Sequence, residues 1–113
     1  MSTPLTPLSL QILVSLGTAP LHGYGILKAI DDRTDGAETP STGALYLALQ
    51  RLEEEGRIRP CADPPTDADA RRKYWEITPE GLRAVRGELD RMEALLKHRS
   101  VEAVRAGGGT AGA

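Results

Sequence analysis

The run from Pro40 to Ile58, PSTGALYLALQRLEEEGRI, constrains the fold of this chain more than any other stretch. It reads as a capped amphipathic helix that stops at a glycine and then enters a strand. Ser41 is placed to accept a hydrogen bond from the orphan N–H groups of a first turn. Leu45, Leu49 and Leu52 recur at i, i+4 and i+7 and form one buried stripe. Gly56 supplies the left-handed residue at which helices end. The opposite face carries Thr42, Tyr46, Leu47, Gln50 and Arg51, whose hydroxyl, amide and guanidinium groups suit base edges and phosphates. An ordinary solvated helix face has a similar composition, so the neighbouring segments decide its meaning.

Upstream, Thr6 and Pro7 read as cap and first position of a helix whose Leu8, Ile12, Leu13 and Leu16 share one face, closed by Gly17. The connection TAPLHGYG leads into a short second helix with Ile26, Leu27 and Ile30 inward, Lys28 and Arg33 outward, and DRTDG at its end. Downstream, Arg57 to Cys61 and Arg72 to Ile77 read as two short strands around the polar loop ADPPTDADA, which makes a hairpin. Thr78, Pro79 and Glu80 then start a long final helix, and GGGTAGA has no side chains with which to pack. Three helices, a hairpin and another helix constitute an α+β, mostly helical, winged helix-turn-helix plan with a two-stranded wing.

The 14 basic and 16 acidic residues nearly cancel, and the net charge of −2 does not favour a nucleic-acid partner. A local patch matters more, and Arg57, Arg59, Arg71, Arg72 and Lys73 are concentrated where a wing would lie. A single cysteine, Cys61, excludes an internal disulfide and makes no metal site by itself; the compartment expected is the cytoplasm. No segment has the apolar length of a membrane span, and the amino terminus lacks the basic region that precedes a signal-peptide core. His22, beside two glycines at a helix start, reads as a cap or turn residue rather than a base, and His98 as a residue near a helix end. Glu53, Glu54 and Glu55 splay around a helix axis and do not converge on a metal. No nucleophile with a base, metal-ligand set or phosphate loop can be assembled, so neither an enzyme nor a cofactor is expected. Trp75 either packs on the final helix or lines a ligand pocket.

The order of these segments resembles that of the PadR family of bacterial transcriptional regulators, over residues 5 to about 98. The family's His-Gly-Tyr segment is matched by His22, Gly23 and Tyr24, and its Ser-Pro-Gly-Thr-Leu-Tyr helix start by Ser41, Gly43, Leu45 and Tyr46. Its Leu-Glu-Glu-Glu-Gly run is matched by Leu52 to Gly56 with Ile58 beyond, and its Arg-Lys-Tyr and Leu-Thr-Pro-Glu-Gly wing pattern by Arg72 to Tyr74 and Ile77 to Gly81. Thr42 and Ala44 stand where the family has Pro and Thr, Gly25 stands where it has an acidic residue, and the wing loop carries Asp63, Asp67 and Asp69 in place of a glycine-rich tip. An acidic tip approaches a minor groove less readily, which leaves the wing base as the better phosphate contact.

The resemblance implies a winged helix-turn-helix DNA-binding domain over residues 1–78. Thr42, Tyr46 and Gln50 would face bases or phosphates, with Ser41 and Gly43 at the start of the recognition helix. Tyr24 and Lys28 would add phosphate contacts, and Arg71, Arg72 and Lys73 would hold the backbone from the wing. Residues 79–105 are expected to form a dimerisation helix and 106–113 a disordered tail. In the final helix Leu82, Val85, Leu89, Met92 and Leu96 recur at heptad spacing, a seam that either folds back on its own domain or is covered by a second subunit. Short-form family members dimerise through such a helix, and some bind flat aromatic effectors between subunits. Pro79 to Arg105 contains no aromatic residue, so any effector here would need another platform. The expectation is a homodimeric repressor on an inverted-repeat operator in double-stranded DNA; the alternative is a winged-helix protein-interaction module without DNA binding, in keeping with the acidic balance and the acidic wing loop.

Overall fold

The computed structural model describes residues 4–64 and 71–107. Three helices come first in a broken bundle: α1 (Pro7–Ser15), α2 (Gly23–Thr34) and α3 (Thr42–Glu54). A two-residue strand β1 (Leu21–His22) sits between α1 and α2; β2 (Ile58–Pro60), β3 (Tyr74–Ile77), α4 (Pro79–Leu96) and α5 (Arg99–Arg105) follow α3. The expected caps form as read. The Thr6 hydroxyl accepts the Ser9 N–H at 3.1 Å, Ser41 that of Ala44 at 3.1 Å and Thr78 that of Gly81 at 3.1 Å.

The end of α3 shows how local chemistry turns a helix into a strand. Gly56 takes φ +75°, Arg57 N–H returns to the Leu52 carbonyl at 2.9 Å and Gly56 N–H to that of Glu53 at 3.0 Å, which is a Schellman stop. Arg57 is thereby used in the helix stop, and β2 starts at Ile58, one residue later than the sequence suggests. The Thr78 hydroxyl donates to the Gly56 carbonyl at 2.6 Å while its backbone N–H donates to Arg57 at 3.1 Å, so the start of α4 is bonded to the end of α3.

Leu45, Leu49 and Leu52 of α3 close over Ile12, Leu13 and Leu16 of α1 and Ile26 and Ile30 of α2, with Ile58 and Trp75 from the sheet. All of these are removed from water, and burial of side chains of this size contributes about 1.5–3 kcal/mol each before conformational entropy is subtracted.

The two-stranded wing forms as the hairpin of β2 and β3, and the sheet gains a strand that the sequence does not mark: β1 adds to the free edge of β3, giving an antiparallel sheet in the order β1-β3-β2, with Leu21 opposite Trp75 and His22 opposite Tyr74. The unpaired edge of β3 accepts it because a strand edge carries unsatisfied backbone groups. One expectation needs correction: the final helix is not continuous from 79 to 105. It stops at Leu96, Lys97 caps it, and His98 takes an extended conformation in which its Nδ1 accepts the Ser100 N–H at 3.1 Å and starts α5. Residues 108–113 of the expected tail, and Asp67 and Asp69 of the wing loop, lie outside the described residues. Ala106 and Gly107 close α5.

Candidate nucleic-acid interface

The start of α2, the outer face of α3 and the base of the wing meet on one side of the molecule. The Nδ1 atom of His22 caps α2 by accepting the Gly25 N–H at 3.0 Å. That role requires an unprotonated Nδ1, so in the neutral ring the proton sits on Nε2. The ring lies edge-on to Tyr74, with centroids 5.1 Å apart, and stacks loosely with Tyr24 at 6.4 Å. Arg72 reaches across from the wing, its Nη1 at 3.3 and 3.2 Å from the two ring nitrogens. The sequence reading of His22 as a capping residue holds; its closeness to Arg72 has no local signal, because 50 residues separate the two.

Tyr46 joins α3 to this assembly. Its ring meets Trp75 edge-on with centroids 6.1 Å apart, and its hydroxyl lies over Gly23 so closely that a side chain there would have to displace it. Trp75 is buried, and its Nε1–H donates to a carboxylate oxygen of Glu53 at 3.1 Å. Lys73 Nζ approaches the same oxygen at 3.4 Å and lies 5.1 Å from the Trp75 ring centre. Trp75 is thus tied to α3, and it also borders an open cleft of about 590 Å³ between α2, α3 and the wing, with Tyr24, Tyr46, Arg71 and Arg72 around it.

Tyr24, Lys28, Ser41, Thr42, Gly43, Gln50, Arg71, Arg72 and Lys73 are all exposed, and Tyr24 and Tyr46 keep 62% and 47% of their surface. Gln50 Nε2 donates to Glu54 Oε1 at 3.3 Å, an exposed contact easily exchanged for another acceptor. Two cations of the expected patch stand elsewhere. Arg57 is buried, with Glu55 at 3.7 Å, and Arg59 is paired with Glu76 at 2.7 Å because the hairpin register sets those two residues opposite each other. The Arg59 hydrogen bond, helped by one from Cys61, holds the Glu76 carboxyl below its ordinary range. Burial, and then the Glu76 carboxylate, push the Cys61 thiol up, away from a reactive thiolate. Among the described residues no group of three or more His, Cys, Asp or Glu side chains is placed to hold a metal ion.

The seam of the final helix divides in two. Val85 is 7% exposed and belongs to the chain's own core, and Leu82 is half-buried beside it. Leu89 keeps 45% of its surface, and Met92, Leu95 and Leu96 are likewise exposed. The free apolar face therefore begins one turn later than the heptad pattern suggests and gains Leu95.

The profile described as the Transcriptional regulator PadR-like family matches residues 12–87. The chain is 32% identical over 99 residues to the Escherichia coli protein named Transcriptional regulator YqjI, covering 85% of this chain and 45% of that one. It therefore spans less than half the length of this curated relative. A solved transcriptional regulator from Clostridium thermocellum superposes with a TM-score of 0.67 at 30% identity, over 80% of this chain and 84% of the other. A PadR family regulator from Eggerthella lenta gives 0.65 at 27% identity, over 86% and 80%.

Proposed function

Because the chain belongs to the PadR-like family of transcriptional regulators, a family of regulators rather than enzymes, we propose that it binds double-stranded DNA through the face just described and acts as a homodimeric repressor. One observation carries this reading. The exposed side of α3, the start of α2 and the cations Arg71, Arg72 and Lys73 form a continuous surface while the opposite side of α3 is committed to the core. A helix presented in this way enters a major groove, and the flanking cations meet the phosphates on either side. Thr42, Gly43, Tyr46 and Gln50 are assigned to the groove, and Tyr24, Lys28, Ser41 and the three wing cations to the backbone.

Two copies would associate through the free apolar face of Leu89, Met92, Leu95 and Leu96. A twofold pair presents the recognition surface twice, in opposite directions, and so reads an inverted repeat. A small molecule that favours one separation of the two α3 helices would release the operator. The setting proposed is the cytoplasm; among the described residues no helix is long and apolar enough to cross a membrane.

One observation favours a second reading, a winged-helix module that binds protein. Arg59 and Lys73 are each beside a glutamate, and the net charge is −2. Selection of bound fragments from random and genomic duplexes, read at several salt concentrations, separates the two. A regulator retains specific fragments, with affinity falling steeply as salt rises. Retention of no duplex at low salt refutes the DNA-binding reading.

A further inference from the structure

Leu47 lies on the outer side of α3, 68% exposed and apart from the hydrophobic core. A lone exposed leucine is unremarkable on a protein surface. Its neighbour one turn earlier gives it meaning. Gly43 is a helical residue above which a Cβ would meet nothing within 4 Å, so neither packing nor a positive φ requires glycine there. Glycine in a helix costs up to about 1 kcal/mol relative to alanine. A bare patch of backbone facing open space is what close approach of another molecule demands.

Side chains on a helix lean toward its amino terminus, so Leu47 leans over the turn that Gly43 leaves bare. The pair makes a shallow step: backbone for its floor and an isobutyl group for its wall. Gln50 lies on the same side at helical spacing, and Tyr46, one residue before Leu47, borders the cleft that the wing-base cations line. In a DNA major groove the apolar group that projects toward a reading helix is the 5-methyl of thymine.

We propose that Leu47 is a specificity-determining residue that contacts the 5-methyl of a thymine in each half-site, with Gly43 admitting the base edge. This rests on the DNA-binding reading above. The polar side chains alone would provide hydrogen bonds; the step adds a preference that depends on shape and on the removal of apolar surface from water.

The test uses the full chain and a duplex obtained by the fragment selection, with each thymine replaced in turn by deoxyuridine, which deletes only the methyl group. At one thymine per half-site the wild-type protein should lose about three- to fivefold in affinity, the order expected for one buried methyl group. Leu47→Ala, which removes the contact in both subunits, should bind the thymine duplex more weakly by the square of that factor, roughly nine- to twenty-five-fold, and show no further loss with uracil at that position. Gly43→Ala, which fills the floor and leaves Leu47 in place, should also weaken binding to the thymine duplex. Indifference of the wild type to uracil at every thymine, or an undiminished uracil penalty in Leu47→Ala, overturns the contact while leaving DNA binding intact. A wild-type protein that retains no duplex overturns the regulator reading and this contact together.

Discussion

Replacing Gly81 with alanine and, in a separate variant, Gly43 with alanine makes the same chemical change in the first turn of two helices, α4 and α3. The structure requires opposite outcomes. A Cβ on Gly81 would be driven onto the backbone carbonyl oxygen of Arg57, with its carbonyl carbon at 3.1 Å and Ile77 Cγ1 at 2.8 Å. The obstructing atoms are largely main chain, held by the Thr78 N–H bond to Arg57 at 3.1 Å, so relief requires α4 to lift off the start of β2. Overpacking of this kind costs about 1–3 kcal/mol. Alanine's preference for helix returns about 0.5–1 kcal/mol. The net loss is about 1–2 kcal/mol, a fall of roughly 4–10 °C in Tm for a domain of this size. At Gly43 nothing opposes the added methyl, and only the helix preference acts, a rise of about 2–5 °C. Thermal unfolding followed by far-ultraviolet circular dichroism decides the matter. All proteins are compared at one concentration, because association would make Tm depend on it. A Gly81→Ala protein as stable as wild type, or more so, would refute the close-approach reasoning.

Light scattering at micromolar concentration should give the mass of a dimer, and Leu89→Asp should give a monomer, because an unpaired carboxylate at a buried interface costs several kcal/mol; a monomeric wild type would contradict the assignment of the free apolar face to a dimer contact. Arg72→Ala should weaken binding on all sequences alike and reduce the salt slope by about one unit, whereas Gln50→Ala should chiefly relax preference within the site. Equal effects of both on specific and random duplexes would contradict that division. The depressed Glu76 carboxyl contributes stability that is present above its unfolded-state pKa and is lost as pH falls through its lower folded-state value. Acid titration of stability should accordingly show a shallower loss below the unfolded carboxylate range in Glu76→Gln than in wild type, and identical profiles would mean that Arg59 confers nothing on the folded state.

The parts of this molecule that were legible in its sequence are those whose causes lie within a few residues. The caps Thr6, Ser41 and Thr78 each act three positions ahead, and the stop at Gly56 is made with carbonyls of its own helix. β1 was illegible because two residues show no alternation, and its only reason to be a strand is an edge of β3 more than 50 positions away. The cationic patch was overcounted for the same reason: Arg59 is engaged by Glu76 only once the hairpin register is known. His98 reads as a residue near a helix end, but the residues after it resume a helix as α5, so the break there has no breaker residue to mark it. Tyr46 reads as a groove-facing residue from its spacing, yet its contacts with Trp75 and Gly23 also make it a spacer between α2, α3 and the wing.

The central claim is that two copies of this surface read DNA together, and the spacing of half-sites tests it most directly. Affinity should be measured for the selected duplex, for the same duplex with one half scrambled, and for versions with about five or about ten base pairs inserted between the halves. A twofold dimer loses affinity sharply when one half is scrambled or when half a helical turn places the second half on the far side of the duplex. Equal affinity for a single half-site and the full repeat, or tolerance of the half-turn insertion, would contradict the account.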